Sequence, residues 1–508
     1  MLSGPGRAIA GVAGARTIFL PRWAPAARED GDPHRTRLAP APQTASLRPV
    51  PAFPDPASLD PALGAFLHQA SDQLCQWWAT ASERSPLPAL SVLPEVAPGP
   101  QGLAPAQLLA ELQQVMEGAY NPCHPGALAH LDPPPLTGSV VAELICAGLN
   151  NNLLAEELAP SLSRLERQLT GWMAAALGLG AAAGGVLASG GSLSNLMALV
   201  VARQRAGLAG HQGALVLGSV DAHVSLGKAL TVMGLPPAAL RTLPVDGDGR
   251  LQPAALAEAL AAARRAGQPV LAVVATAGTT VRGAVDPLAA IAALCRAEGI
   301  WLHIDGAIGA VCGLTRGHRQ RVAGLELADS ITVNPQKLLG ITKTSSLLLL
   351  AEPGRLAACF GTGLPYMEAS WGGGHGGEAG LQGTRAAEVL KLWLGLRQLG
   401  LSGIEAVVDG AIGRRRYLQR QLEPLGLDLC GGPLHLLAFA PAGASASEAD
   451  AWSARTRQRL LEGQLMLSRP LYGGRHHLKA VLGNPHTTNA HLNQLADLVA
   501  HSLREQQP

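Results

Sequence analysis

The chain has 508 residues, enough for two or three domains, and 47% of them are hydrophobic, so a large buried core is within reach. Only 15% are charged and the formal net charge is +2, which gives no electrostatic case for nucleic acid or an anionic membrane as partner. The seven cysteines are odd in number, scattered and never in C-x-x-C, which argues against a disulfide framework or structural zinc and fits a reducing cytoplasm.

Residues 1–55 are rich in proline, arginine and alanine and have no periodicity, so they read as a disordered tail. Four arginines precede the first acid, Glu29, a faint transit-peptide character without the apolar run of a secretory signal. No uncharged apolar run in the chain reaches the length of a membrane span. Residues 56–130 carry helical patterns, "ALGAFLHQASDQLCQWWATAS" and "AQLLAELQQVMEG", separated by the proline-rich "SPLPALSVLPEVAPGPQG".

In residues 131–390 the pattern alternates. Short apolar runs ("GVLAS", "ALVLGS", "PVLAVVATA", "IWLHID", "SITVN", "SSLLLL") are interleaved with helical stretches such as "LSNLMALVVARQRAG", "PAALAEALAAARRAG" and "PLAAIAALCRAEG". Strands alternating with helices predict an α/β domain with a mainly parallel central sheet flanked by helices. These helices end at glycine, the residue that best accepts the left-handed cap conformation. Residues 391–508 read as a smaller α+β C-terminal domain, with "LHLLAFAP" and "HHLKAVLGNP" as strands.

In parallel α/β sheets ligands bind beyond the C-terminal ends of the strands. There the chain offers "SGGSLSNLMAL", with Gly191 and Ser192 opening a helix as an anion cradle. The next strand ends offer His223 in "DAHVSLGKA", Thr276 in "ATAGTT", Asp305 in "HIDGAIGA", and Asn334 and Lys337 in "NPQKLLG". Taken one at a time, each has an ordinary structural explanation. Together they supply what pyridoxal phosphate needs: a phosphate cradle, a flat ring neighbour, a carboxylate for the ring nitrogen and a lysine for the aldehyde. The histidines show no H-E-x-x-H or comparable spacing, so no metal is expected.

From about residue 105 to 505 the chain resembles the group II pyridoxal-phosphate-dependent amino-acid decarboxylases. The resemblance is carried by "HPGALAHLDPPPL", "LNNNLLAEELAPSLSRLE", "SGGSLSNLMAL", "DAHVSLGKA", "ATAGTTVRGAVDPL", "HIDGAIGA", "NPQKLLG", "LQGTRAAEVLKLWLGLRQLG" and "LKAVLGNPHTT". It implies the fold-type I architecture of pyridoxal-phosphate enzymes and conversion of an L-amino acid to its amine and carbon dioxide. It implies Lys337 as Schiff-base lysine, Asp305 as partner of the pyridine nitrogen, Ala307 against the ring and His223 stacked on it. Gly191, Ser192 and Asn334 would bind phosphate, and Thr276 would lie near the ring and the substrate carboxylate. Tyr366, on the loop after the lysine, is the expected proton donor. The resemblance also implies a homodimer whose helical N-terminal segments are exchanged, with shared active sites. The stretches "HPGALAHLDPP" and Asn150–Asn152 would line the substrate side.

Two positions depart from the family pattern. Gln336 stands where the family has histidine before the lysine; it can hydrogen-bond cofactor or substrate but cannot carry a proton. Lys479 stands where an arginine is common, giving a point charge in place of a fork, which weakens the case for glutamate as substrate. The candidate substrate is 2,4-diaminobutyrate or a related small amino acid. Another reaction of the same fold, such as an aminotransferase or desulfurase, and a non-catalytic role are the alternatives. The flanks "LNNNLLAEELAP" and "LQGTRAAEVLKLW" favour decarboxylation.

Overall fold

The computed structural model describes residues 49–363 and 371–505. Two compact units are distinguished, one up to Phe66 and one from Leu67 onward. In the first, Asp60 caps the start of the helix Pro61–Ala79, its Oδ1 accepting the amides of Ala62 at 2.8 Å and Leu63 at 3.3 Å.

The second unit is built around seven strands: β1 (Gly184–Ala188), β2 (Leu215–Ser219), β3 (Leu240–Leu243), β4 (Val270–Thr276), β5 (Trp301–Asp305), β6 (Ser330–Val333) and β7 (Ser346–Leu350). They form one sheet in the order β1-β7-β6-β5-β4-β2-β3. β7 runs antiparallel to both its neighbours, and the pairs from β6 to β3 are parallel. Six strands therefore point the same way and present their C-terminal ends along one edge.

Successive residues of the inner strands enter two different cores. Leu347 and Leu349 of β7 pack on one face with Leu217, Val273 and Ile304. Leu348 and Leu350 pack on the other with Val186, Val216 and Val274. Period-two alternation between two covered faces explains why the strands read as continuous apolar runs. The six apolar runs all fall on strands, and the three quoted helical stretches on the helices Gly191–Arg205, Pro253–Arg265 and Leu288–Glu298. β3 is the strand the sequence did not announce: in Leu-Arg-Thr-Leu only Leu243 is buried, as expected of an edge.

A smaller antiparallel sheet has β8 (Leu427–Gly431), β9 (Leu436–Pro441) and β12 (Leu478–Val481) in the order β12-β9-β8. β10 (Leu471–Tyr472) and β11 (Arg475–His476) form a separate hairpin. The small sheet packs Phe439 and Leu437 against Trp452, Leu460 and Leu492. The helical run Val389–Leu422, broken at Gly400 (φ 59°), serves both bodies. Its Leu392, Leu396, Ile404 and Val408 pack with the large sheet, whereas Leu418 and Leu422 join the small one.

A buried ion pair ties the segment before that helix to the sheet. Glu166 and Arg385, each 6% exposed, meet through two contacts of 2.6 and 3.0 Å, and Glu166 Oε1 also accepts the Leu187 amide at 2.9 Å. Removing one partner leaves the other charge buried. Arg385→Ala is therefore expected to lower unfolding stability by about 3–5 kcal/mol. Urea denaturation of the apoprotein would measure it, and a loss below about 1 kcal/mol would mean that water reaches the pair.

Candidate active site

The C-terminal strand ends converge on a cavity of about 170 Å³. Five strands contribute to its wall. Gly191 and Ser192 follow β1, His223 follows β2 and Thr276 ends β4. Asp305 ends β5, with Ala307 just beyond it, and Asn334 and Lys337 follow β6. These eight residues were read from sequence as separate motifs, and they line one hollow.

Each is placed by local chemistry. Gly190, at φ 93°, turns the chain out of β1 in a conformation that glycine adopts without strain. A Cβ on Gly191 would lie 2.9 Å from Asn334 Nδ2, so a side chain there would have to displace the Asn334 carboxamide from the first turn of the helix Gly191–Arg205. That places the positive end of a 15-residue helix at the cavity, where an anion is favoured. After β6, Pro335 pre-sets the turn of the short helix Pro335–Leu338, and the Lys337 amide donates to Asn334 O at 3.0 Å.

The charged groups are set by burial and by one another. Desolvation lowers the Lys337 pKa from its ordinary value, while the carboxylates of Asp305 and Asp132 act in the opposite direction. Burial likewise lowers the pKa of His223, opposed by Asp305 and reinforced by Lys337 and Lys228. His223 Nδ1 accepts the Ser225 amide at 3.2 Å, so in the neutral ring the proton sits on Nε2. Asp305 accepts from Asn195 Nδ2 at 2.8 Å on one oxygen and from the Ala307 amide at 3.1 Å on the other.

The other residues singled out from the sequence have different settings. Gln336 is not among the residues lining the cavity; its Oε1 accepts the Ser345 amide at 2.5 Å. Neighbours on a helix diverge by about 100°, so with Lys337 on the cavity wall Gln336 is directed elsewhere. Asn150–Asn152 does not line the cavity either; Asn152 Oδ1 accepts the amides of Leu154 and Arg385. Tyr366 lies outside the described residues. Lys343 is a half-exposed partner of Asp132, at 2.7 Å. Three further polar residues that motif reading did not select line the hollow: Asn195, Asp221 and Thr280. Asn195 had a signal, a carboxamide amid the apolar run of a helix, but its partner is 110 positions away.

The "HPGALAHLDPP" stretch meets Lys337 from the other side. Ala127, His130, Leu131, Asp132 and Pro133 line a small crevice with Lys337, His435 and Asn484. A larger hollow of about 740 Å³, lined by Pro160, Leu165 and Trp371, has no comparable convergence; its Glu156 is engaged by Arg167 at 2.9 Å.

Two buried oxygens on the 170 Å³ cavity, Thr276 Oγ1 and Asn334 Oδ1, have no partner among the described residues. Buried polar atoms are ordinarily satisfied, so a polar ligand is called for. A lysine, a carboxylate, an imidazole and a helix N-terminus around these oxygens fit pyridoxal phosphate.

Comparisons with known proteins agree. Residues 106–426 match the model of the pyridoxal-dependent decarboxylase conserved domain. The chain is 33% identical to an L-2,4-diaminobutyrate decarboxylase of Rhizobium meliloti (strain 1021), over 82% of this chain and 84% of the relative. It is 30% identical to the cysteine sulfinic acid decarboxylase of Mus musculus, over 70% and 73% of the two chains. The crystal structure of mouse CSAD in apo form superposes with a TM-score of 0.80 at 25% identity, covering 87% of this chain and 99% of that one. The chain thus belongs to the pyridoxal-dependent decarboxylases, and it is an enzyme that removes the carboxyl group of an amino acid with pyridoxal phosphate as cofactor.

Proposed function

We propose that this chain decarboxylates L-2,4-diaminobutyrate or a closely related small L-amino acid. One observation carries the choice of substrate: the cavity has a second carboxylate. Asp221 lines it, and its Oδ2 accepts the Tyr472 hydroxyl at 2.7 Å. A carboxylate held in this way suits a substrate with a second ammonium group. The name of the Rhizobium relative supports the same reading.

In this reading the lining residues take the following roles. Lys337 is the nucleophile that attaches the cofactor, and Asp305 is the partner of its pyridine nitrogen. Ala307 and His223 bound the ring. Gly191, Ser192 and Asn334 would hold the phosphate, and Thr276, whose Oγ1 is buried without a partner among the described residues, would serve the ring and substrate carboxylate. When bound, pyridoxal phosphate supplies an electron sink for the bond that releases carbon dioxide. The chain's part is to hold the substrate, keep water out and return a proton to the α-carbon. In this reading the His223 Nε2–H, on a residue that lines the cavity, is a candidate for that return.

Lys479, on β12, is 7% exposed and its Nζ donates to Thr280 O at 3.3 Å. Burial, with Lys337 adding to it, pulls its pKa down to about 8. Lys479 is not among the residues lining the cavity, but its partner Thr280 is; a substrate carboxylate held through this edge would face a charged amine below that pH and a neutral one above it. KM should therefore rise as pH passes about 8. Lys479→Arg should abolish that rise, because a guanidinium stays charged. An unchanged alkaline limb in Lys479→Arg assigns the titration to another group.

A homodimer is part of the reading. The helix Thr137–Leu149 leaves Val141, Leu144, Ile145 and Leu149 exposed on its surface, an apolar face suited to a second copy. A cytoplasmic setting is supported by seven free cysteines.

The test is a panel of L-amino acids, with carbon dioxide and amine measured together. The panel holds 2,4-diaminobutyrate, aspartate, glutamate, cysteine sulfinate and aromatic amino acids. The highest kcat/KM is expected for 2,4-diaminobutyrate, and Asp221→Asn should lower it about tenfold, mostly through KM. Preference for another member, with Asp221→Asn silent, rejects the substrate and leaves the family activity standing.

A further inference from the structure

Behind Asp305 runs a chain of buried polar groups that ends at the head of β5. Trp301 Nε1 donates to Ser330 Oγ at 2.9 Å. Ser330 Oγ lies 2.9 Å from His303 Nδ1, and His303 Nε2 lies 3.0 Å from Asn195 Oδ1. Thr332 Oγ1 donates to the same Asn195 oxygen at 2.7 Å. Asn195 Nδ2 donates to Ser225 Oγ at 3.0 Å and to Asp305 Oδ2 at 2.8 Å. Asn195, Trp301, His303, Ser330 and Thr332 are no more than 2% exposed.

The direction of the chain is fixed from both ends. An indole N–H can only donate, so Ser330 Oγ must accept it and has its own hydrogen left for His303 Nδ1. A carboxylate can only accept, so Asn195 must turn its NH₂ toward Asp305 and its oxygen toward His303. That oxygen requires a hydrogen on His303 Nε2. The two requirements agree on one state: a neutral ring protonated at Nε2. Complete burial favours it, pulling the His303 pKa down to about 4. Every hydrogen in the series points toward Asp305. The last donor is a carboxamide, which orients a carboxylate without giving it a proton.

We propose that Asn195 is a positioning residue of the cofactor site, holding the Asp305 carboxylate for the pyridine nitrogen through a one-way donor chain that begins at Trp301. His303 is the middle link, acting on Asp305 only through Asn195. With Asn195 on one carboxylate oxygen and the Ala307 amide on the other, rotation of the Asp305 side chain is suppressed. The remaining lone pairs face the cavity that Asp305 lines.

The test measures binding of pyridoxal phosphate to the apoprotein, with its visible absorption as second readout, so it requires no substrate. Asn195→Ala should weaken binding roughly tenfold or more and change the absorption of the bound cofactor. At His303 two variants separate donor from filler. His303→Gln keeps an N–H for Asn195 and should bind within about threefold of wild type. His303→Phe fills the space without a donor and should weaken binding several-fold, while its apoprotein melts no lower than that of His303→Gln. A packing role would reverse that order, because phenylalanine suits an apolar interior better. Should Asn195→Ala give no cooperative melt, the His303 pair decides alone. Equal affinity of His303→Phe and His303→Gln, with an unchanged spectrum, overturns the proposal.

Discussion

Lys337→Ala is expected to stop carbon dioxide release, with a loss of about 10⁴-fold or more in kcat, equivalent to roughly 5.5 kcal/mol of barrier. Lys337 is the one lysine lining the cavity among the described residues, and burial shifts it toward the neutral, nucleophilic amine. With Lys337 as the proposed attachment point, its removal should change the visible absorption of the bound cofactor along with the rate. Lys343, six residues on, is the contrast. It is half-exposed and paired with Asp132, and surface pairs contribute little. Lys343→Ala should stay within about threefold of wild type. Decarboxylation by Lys337→Ala above a hundredth of the wild-type rate would move the nucleophile elsewhere.

Much of this site was legible because parallel-sheet chemistry collects at strand ends, and strand ends are visible as apolar runs that stop. Asp305 and Lys337 each stand at or just past such a stop, as do His223 and Thr276. What escaped reading depends on three-dimensional approach. Asn195 sits on a helix and meets Asp305, His303 and Thr332, residues more than 100 positions away. Asp221 gains its meaning from Tyr472, delivered by the β10–β11 hairpin of the small body. Gln336 is adjacent to Lys337 in sequence, but its Oε1 accepts the Ser345 amide and it is not among the residues lining the cavity. β3 was missed because its middle residues, Arg241 and Thr242, are exposed, leaving no apolar run to read.

Asp305→Asn is nearly isosteric and isolates the role of charge. The wild-type carboxylate accepts two N–H groups, from Asn195 and Ala307, and faces the cavity with its remaining lone pairs. An asparagine cannot do the same. If its oxygen keeps one donor, its NH₂ confronts either the other donor or the ring nitrogen, and in no orientation is there a negative charge. A preorganised charge at the electron-accepting end of a site is worth about as much as an oxyanion-hole donor or more, so kcat should fall roughly 10³-fold or more, some 4 kcal/mol. Lys337 remains in place, so the cofactor should still attach. KM should change far less than kcat, because the missing interaction is one that strengthens as the carboxyl group leaves. Single-turnover decarboxylation alongside cofactor titration separates the two effects. A variant that binds cofactor normally and keeps kcat within about tenfold of wild type would show that this enzyme does not rely on the charge of Asp305, and the purpose of the donor chain behind it would then have to be structural.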